Sequence, residues 1–227
     1  MNKALLLTAA SIIALCAGGA SAAGLPAASF AGKYIPFRIP KGAKVLWNQN
    51  QLTSNAGTAV ISQNFTSGDS TTYDCQGADD FVIPKGKTWR ITEVDVTGMY
   101  EYGELPATSE NVIFYKDRQG MPGKTVKKGQ GAFTNLDGGG GPNFAIKLPG
   151  NGLKLKAGHY WVSVIANMDY PVSGVWFWEV NRIQQGDQAM WQNPPGGYFT
   201  CRTWGTIESC VDSPSPDFMF ELRGTSE

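Results

Sequence analysis

Tyr160-Trp161-Val162-Ser163-Val164-Ile165 is apolar on both faces except at Ser163. A six-residue run of this kind, rich in β-branched and aromatic side chains and preceded by the turn glycine Gly158, reads as the central strand of a β-structure. The neighbouring segments agree. Phe144, Ile146 and Leu148 alternate strictly with Ala145 and Lys147, which predicts a strand with one buried face. Along Thr88–Val96 the apolar positions change phase, from odd-numbered Trp89 and Ile91 to even-numbered Val94 and Val96, which predicts a bulge near Glu93. Further strands are expected at Lys44–Trp47, Thr58–Gln63, Asp80–Ile83, Asn111–Tyr115, Val175–Val180 and Phe218–Leu222, with the central one spanning His159–Ala166. No stretch sustains helical periodicity. The fold class that follows is all-β, a single antiparallel β-sandwich.

One local pattern recurs. Ile39-Pro40-Lys41-Gly42 precedes Trp47, Ile83-Pro84-Lys85-Gly86 precedes Trp89, and Leu155-Lys156-Ala157-Gly158 precedes Trp161. Convergent turn chemistry, in which glycine supplies the backbone freedom, explains the echo more simply than duplication of a half-domain. The longest loops are expected at Thr97–Glu110, Gly120–Gly131 and Gln184–Ser215.

The first residues have the layout of a secretory signal: Lys3, an apolar run from Ala4 to Ala17, then Gly18-Gly19-Ala20-Ser21-Ala22 with small residues three and one positions before the cut. Residues 1–22 are therefore expected to be a signal peptide, since the run is shorter than the roughly 20 residues a membrane span needs. The remainder fits one domain of sandwich size, with no membrane span in the mature chain. Residues 23–72 are expected to be an N-terminal segment packed on the main domain, and residues 73–224 the sandwich. Nineteen Lys plus Arg balance nineteen Asp plus Glu, and no basic run occurs. Nucleic acid is therefore excluded as an expected partner. The expected location is exported, periplasmic or extracellular. After cleavage Cys75, Cys201 and Cys210 remain. An oxidising compartment favours pairing, and the short separation predicts a Cys201–Cys210 disulfide, with Cys75 bridged to either as the rival.

The motifs Asp79-Asp80-Phe81-Val82-Ile83-Pro84 through Trp89-Arg90-Ile91, Asn111-Val112-Ile113-Phe114-Tyr115, Met121-Pro122-Gly123, Gly158-His159-Tyr160-Trp161-Val162-Ser163-Val164 and Ala189-Met190-Trp191-Gln192-Asn193-Pro194 resemble a module found in secreted bacterial proteins. The ending Pro216-Asp217-Phe218-Met219-Phe220 is similar to the same module. The likeness runs from about Tyr73 to Gly224. It implies a β-sandwich of jelly-roll type and brings no catalytic residues with it.

Catalytic constellations are sparse. The one histidine, His159, stands at the start of the central strand, and no Gly-x-Ser-x-Gly elbow accompanies it, so a nucleophile–histidine triad is not expected. His159 reads as a polar strand-end side chain. Zinc is not expected either, because its usual sites draw on several His or Cys ligands. Candidate carboxylate pairs for glycoside hydrolysis are Asp79 with Asp80, Glu93 with Asp95, and Glu101 with Glu104, and pairs between distant strands stay open. Adjacent strand residues face opposite ways, which disfavours the first pair. Calcium, which takes carboxylate and carbonyl oxygens, is the more plausible ion, with Asp79, Asp80 and Asp137 as candidate donors; no other cofactor is expected.

The most informative segment is Asp169–Trp204, where aromatic rings alternate with amides and charges. Sugar faces stack on flat rings while amides and carboxylates satisfy hydroxyls. Trp191, Trp204, Tyr198, Gln192, Asn193 and Arg182 are therefore the candidate ligand-binding residues, against the alternative that these rings fill the core. The expected function is an exported, non-enzymatic sandwich that binds a glycan or a cell-surface component, with a glycan or a surface protein as partner. The alternatives are an accessory module packing on another exported protein and a carboxylate-dependent glycoside hydrolase.

Overall fold

A computed structural model of the chain describes residues 43–50, 58–103, 106–126, 132–135 and 141–227. The signal segment, Glu104 and Asp137 lie outside the described residues. The fold is an all-β sandwich of two sheets. The larger is built on the order β1 (Lys44–Asn48), β15 (Phe220–Ser226), β4 (Gln76–Val96), β10 (Leu153–Met168), β6 (Ser109–Asp117) and β7 (Pro122–Thr125). The smaller carries β14 (Asp217–Phe218), β11 (Val175–Asn181) and β2 (Ala59–Ile61), with β5 (Gly98–Glu101) also paired to β11. Pairing is antiparallel except where β3 (Gln63–Phe65) runs parallel to the end of β10.

Strand β10 is central, as its sequence demands, flanked by β4 on one side and β6 on the other. Alternation sends Val162, Val164 and Ala166 into the main core. Trp161 belongs instead to a second, smaller cluster on the opposite face, with Ala78, Tyr115 and Met190. Ser163 is buried and donates to the Gly77 carbonyl at 2.6 Å, so the single polar residue of the run costs no unsatisfied group.

The bulge expected near Glu93 is present. The register of β15 on β4 steps from Arg223↔Glu93 to Gly224↔Ile91, leaving Thr92 as the extra residue. Trp89, Ile91, Val94 and Val96 consequently all reach the main core despite their change of phase. Asp80–Ile83 and Thr88–Val96 are not two strands but parts of one, β4. Its Pro84-Lys85-Gly86-Lys87 stretch bulges opposite Ala157, because Thr88 pairs with Lys156 and Ile83 with Gly158. Gly86, at φ +80°, supplies the left-handed step that the bulge needs.

The core between the sheets is aromatic. Trp176 stacks on Phe144 with ring centroids 4.8 Å apart, and Trp178 on Phe218 at 4.4 Å. Both indole N–H groups are satisfied, donating to the carbonyls of Pro142 and Met219. Phe177, on the other face of β11, is also buried.

Lys44–Asn48, Ala59–Ile61 and Gln63–Phe65 are integral to the sheets. They supply β1 to one edge of the large sheet, β2 to the small sheet and β3 to β10. Gln49, just beyond β1, is buried and donates to Asp79 Oδ2 at 3.0 Å and Asp217 Oδ2 at 3.2 Å, tying the start of the domain to β4 and β14. The expected loop Gln184–Ser215 is also more structured than its composition suggests. It contains β12 (Met190–Gln192), β13 (Gly205–Thr206) and a five-residue helix, α1 (Ile207–Val211). The helix is capped by the Thr206 side chain, which accepts from Ser209 N.

Candidate functional site

Pairing of β12 with β4 decides the fate of the aromatic segment. Met190 pairs with Ala78, Trp191 with Gly77 and Gln192 with Gln76. Strand alternation then sends Trp191 one way and its two neighbours the other. Trp191 is fully buried in the main core, its indole N–H donating to the Ile61 carbonyl at 2.8 Å. It is therefore not an exposed platform ring. The sequence shows the ring but not the register that turns it inward.

Asn193 is also buried, and serves as a clamp. Its Nδ2 donates to the carbonyls of Thr72 at 3.2 Å and Asp74 at 2.8 Å, and its Oδ1 accepts from Tyr198 N. Tyr198 packs edge-on against Tyr73 and Trp191. Arg182 is exposed just after β11, a strand of the other sheet.

Trp204 and Gln192 meet different surroundings. Trp204 is half-buried and packs on the outer cluster, its ring edge-on to Tyr115 at 5.8 Å. The Cys201–Cys210 disulfide closes the loop that carries it, with Cα atoms 5.6 Å apart. Cys75, outside that bridge, is buried. Gln192 lies beside Gln76 across the β12–β4 pair, and Gln76 Nε2 donates to the Tyr115 hydroxyl at 2.9 Å. Ile113 and Met121 pack on the same cluster. The outer face of the large sheet thus groups half-buried Trp204, Gln76 and Gln192 around the buried Tyr115. On the loop between β12 and the disulfide, Phe199 is 85% exposed at φ +59°. An aromatic residue in the left-handed region is costly by folding criteria alone.

The same face continues into a cluster of ionisable groups. His159 stacks on Trp161 with centroids 5.9 Å apart. Its Nε2 lies 2.5 Å from Asp80 Oδ2 and 3.9 Å from Asp187 Oδ2, and its Nδ1 lies 3.6 Å from Asp117 Oδ1. Asp117 is held by Trp161 Nε1 at 3.0 Å and Gly120 N at 3.1 Å. Asp80 is buried, which raises its pKa to about 6 against the lowering effect of His159. His159 is therefore not a bland strand-end side chain. The sequence could have signalled this only through the pairing of β4 with β10, which sets Val82 opposite His159 and Asp80 opposite Trp161.

Of the carboxylate pairs weighed for hydrolysis, Glu101 with Glu104 is not placed, because Glu104 lies outside the described residues. Asp79 and Asp80 point to opposite faces: Asp79 accepts from Gln49 and Phe218 N, Asp80 from Asp187 N. Glu93 and Asp95 are buried around Arg223, whose Nε donates to Asp95 Oδ2 at 2.5 Å and lies 3.9 Å from Glu93. Burial pushes Asp95 up to about 7. This is an ion-pair knot buried in the sheet, with its carboxylates gathered around Arg223.

Fold and site together define an all-β sandwich whose large sheet carries an aromatic–amide patch running into a histidine–carboxylate cluster. No family model matches the chain, and no curated protein matches it. Among solved structures, the chain is similar to the cysteine protease and lectin-like domains of a surface layer associated protein of Clostridium difficile, at a TM-score of 0.43 and 11% identity. That alignment covers 67% of this chain and 32% of the other, about a third of its length. Among the described residues, no helix is long and apolar enough to cross a membrane.

Proposed function

We propose that the protein is an exported, non-enzymatic sandwich that binds a glycan on the outer face of its large sheet. The observation that carries this reading is the grouping of half-buried Trp204, edge-on to Tyr115, with the amides of Gln76 and Gln192. A ring partly open to solvent offers a stacking face, and the amides beside it can both donate to and accept from hydroxyls. The patch ends at Asp117, Asp187 and His159, which add further acceptors at its rim. Export rests on the signal-like first 22 residues and on the Cys201–Cys210 bridge, which an oxidising compartment sustains.

The test is a polysaccharide and oligosaccharide panel probed with the wild-type protein, Trp204→Ala and Gln192→Ala. A glycan retained by the wild type and lost by Trp204→Ala supports the reading. Binding that survives both substitutions places the ligand elsewhere. No retained glycan, with Trp204→Ala instead abolishing capture by an exported protein, favours the accessory-module alternative.

A further inference from the structure

Three carboxylates, Asp80, Asp117 and Asp187, surround one imidazole. Among the described residues, no lysine or arginine forms an ion pair with any of the three. This contrasts with the knot at Glu93, Asp95 and Glu221, where Arg223 supplies the compensating charge. Ligand atoms of Asp80, His159 and Asp187 all lie within 4.8 Å of one another. The fold goes out of its way to bring them together. Gly186 adopts φ +94°, and a Cβ there would come 2.4 Å from Asp80 Oδ2. Only glycine lets this backbone wrap so closely on the buried carboxylate. That turn delivers Asp187 N to Asp80 Oδ1 at 3.1 Å and the Asp187 carboxylate to the imidazole.

We propose that Asp80, His159 and Asp187 form a binding site for a divalent transition-metal ion of the zinc class. His159 Nε2 and one oxygen from each aspartate supply a nitrogen–oxygen donor set, and water completes the coordination. An imidazole donor favours zinc and its neighbours over calcium, which takes oxygen ligands. Zinc–nitrogen and zinc–oxygen bonds of about 2.0–2.2 Å require His159 Nε2 and Asp80 Oδ2 to part by less than about 1 Å. The other ring nitrogen strengthens the assignment. His159 Nδ1 lies 3.6 Å from Asp117 Oδ1, itself fixed by Trp161 and Gly120, so a ring shift of under about 1 Å completes the carboxylate–histidine–metal arrangement that orients a ligating ring. Asp117 is thus a positioning residue. This site differs from the calcium set considered from sequence: Asp79 faces away from it, and Asp137 lies outside the described residues. With a single histidine, the site escapes a search for repeated His or Cys ligands.

The proposal does not rest on glycan binding, and its test uses zinc ion alone. Untagged protein is stripped with chelator, then titrated with zinc chloride by equilibrium dialysis, with thermal melts alongside. The expected result is one zinc per chain and a raised melting temperature. His159→Gln and Asp187→Asn should each weaken binding at least tenfold, and Asp187→Asn should leave the metal-free melt unchanged. Asp117→Asn should keep the stoichiometry and weaken affinity by about 10–100-fold. Absence of stoichiometric zinc, unchanged affinity in His159→Gln, or tight calcium binding without zinc would each overturn the assignment. Asp187 is 47% exposed at its side chain, so its substitution keeps the test valid even if changes at His159 disturb the fold.

Discussion

Trp191→Ala should unfold the protein early, whereas Trp204→Ala should not. The two rings sit thirteen positions apart in one chemically uniform stretch, but Trp191 is wholly inside the main core while Trp204 is half-exposed on the outer cluster. Truncating a buried Trp costs about 3–5 kcal/mol through lost burial and the cavity left behind. At Trp191 the substitution also removes the indole donor to the Ile61 carbonyl, leaving the weak Cys75 Sγ donor, and the edge contact with Tyr198. The upper part of that range is therefore expected, about 4–5 kcal/mol. For a domain of this size each kcal/mol moves the melting temperature by about 2–4 °C, giving a drop of about 8–20 °C. Trp204→Ala loses only a partly buried face and should cost about 1 kcal/mol. Trp161→Ala, in the central strand and fully buried, is the positive control. Thermal melts of all three, followed by near-ultraviolet circular dichroism, make the measurement. Equal melting of Trp191→Ala and wild type would refute the inward register of β12. Equal melting of Trp204→Ala and Trp161→Ala would show that Trp204 is core.

Two further outcomes follow from covalent and electrostatic features. Replacing Cys201 and Cys210 together by Ser should destabilise the protein by about 2–3 kcal/mol in the chain-entropy model. Non-reducing peptide mapping should show the 201–210 bridge, with Cys75 alkylated only after unfolding; a cross-link from Cys75 to either would contradict the assignment. Burial raises the pKa of Asp217 from 3.8 to about 7, so between those values the folded state binds more protons than the unfolded. This contribution to stability is present below about pH 4 and is lost as pH rises through about 7. Asp217→Asn should flatten that part of the stability–pH curve, measured by urea midpoints from pH 4 to 8, and an unchanged slope would refute the assignment.

What could be read from the residues was set by local chemistry. The central strand, the bulge beside Glu93 and the one-faced Phe144–Leu148 strand announce themselves through alternation, because each depends on which residues neighbour one another along the chain. The short Cys201–Cys210 separation foretold its bridge in the same way. What escaped was register. Trp191 and Trp204 look alike in sequence, and only the pairing of Met190 with Ala78 decides which ring is buried. Asp80, Asp117, His159 and Asp187 are scattered over more than a hundred positions and meet only because β4, β6 and β10 lie side by side with the Gly186 turn folded over them. The strands before Tyr73 carry no local sign of their place in the sheets for a related reason: they are short, and their partners, β15, β11 and β10, lie far along the chain.

The most direct measurement of the glycan-binding reading is a nuclear magnetic resonance titration that follows the indole N–H signals of the seven Trp residues while oligosaccharides are added. If a sugar docks on the outer face, the Trp204 signal moves in a saturable way with the bound sugar. The signals of Trp176, Trp178 and Trp191, whose N–H groups are already committed to the carbonyls of Pro142, Met219 and Ile61, should stay in place. A bound glycan that leaves Trp204 unshifted would contradict that reading.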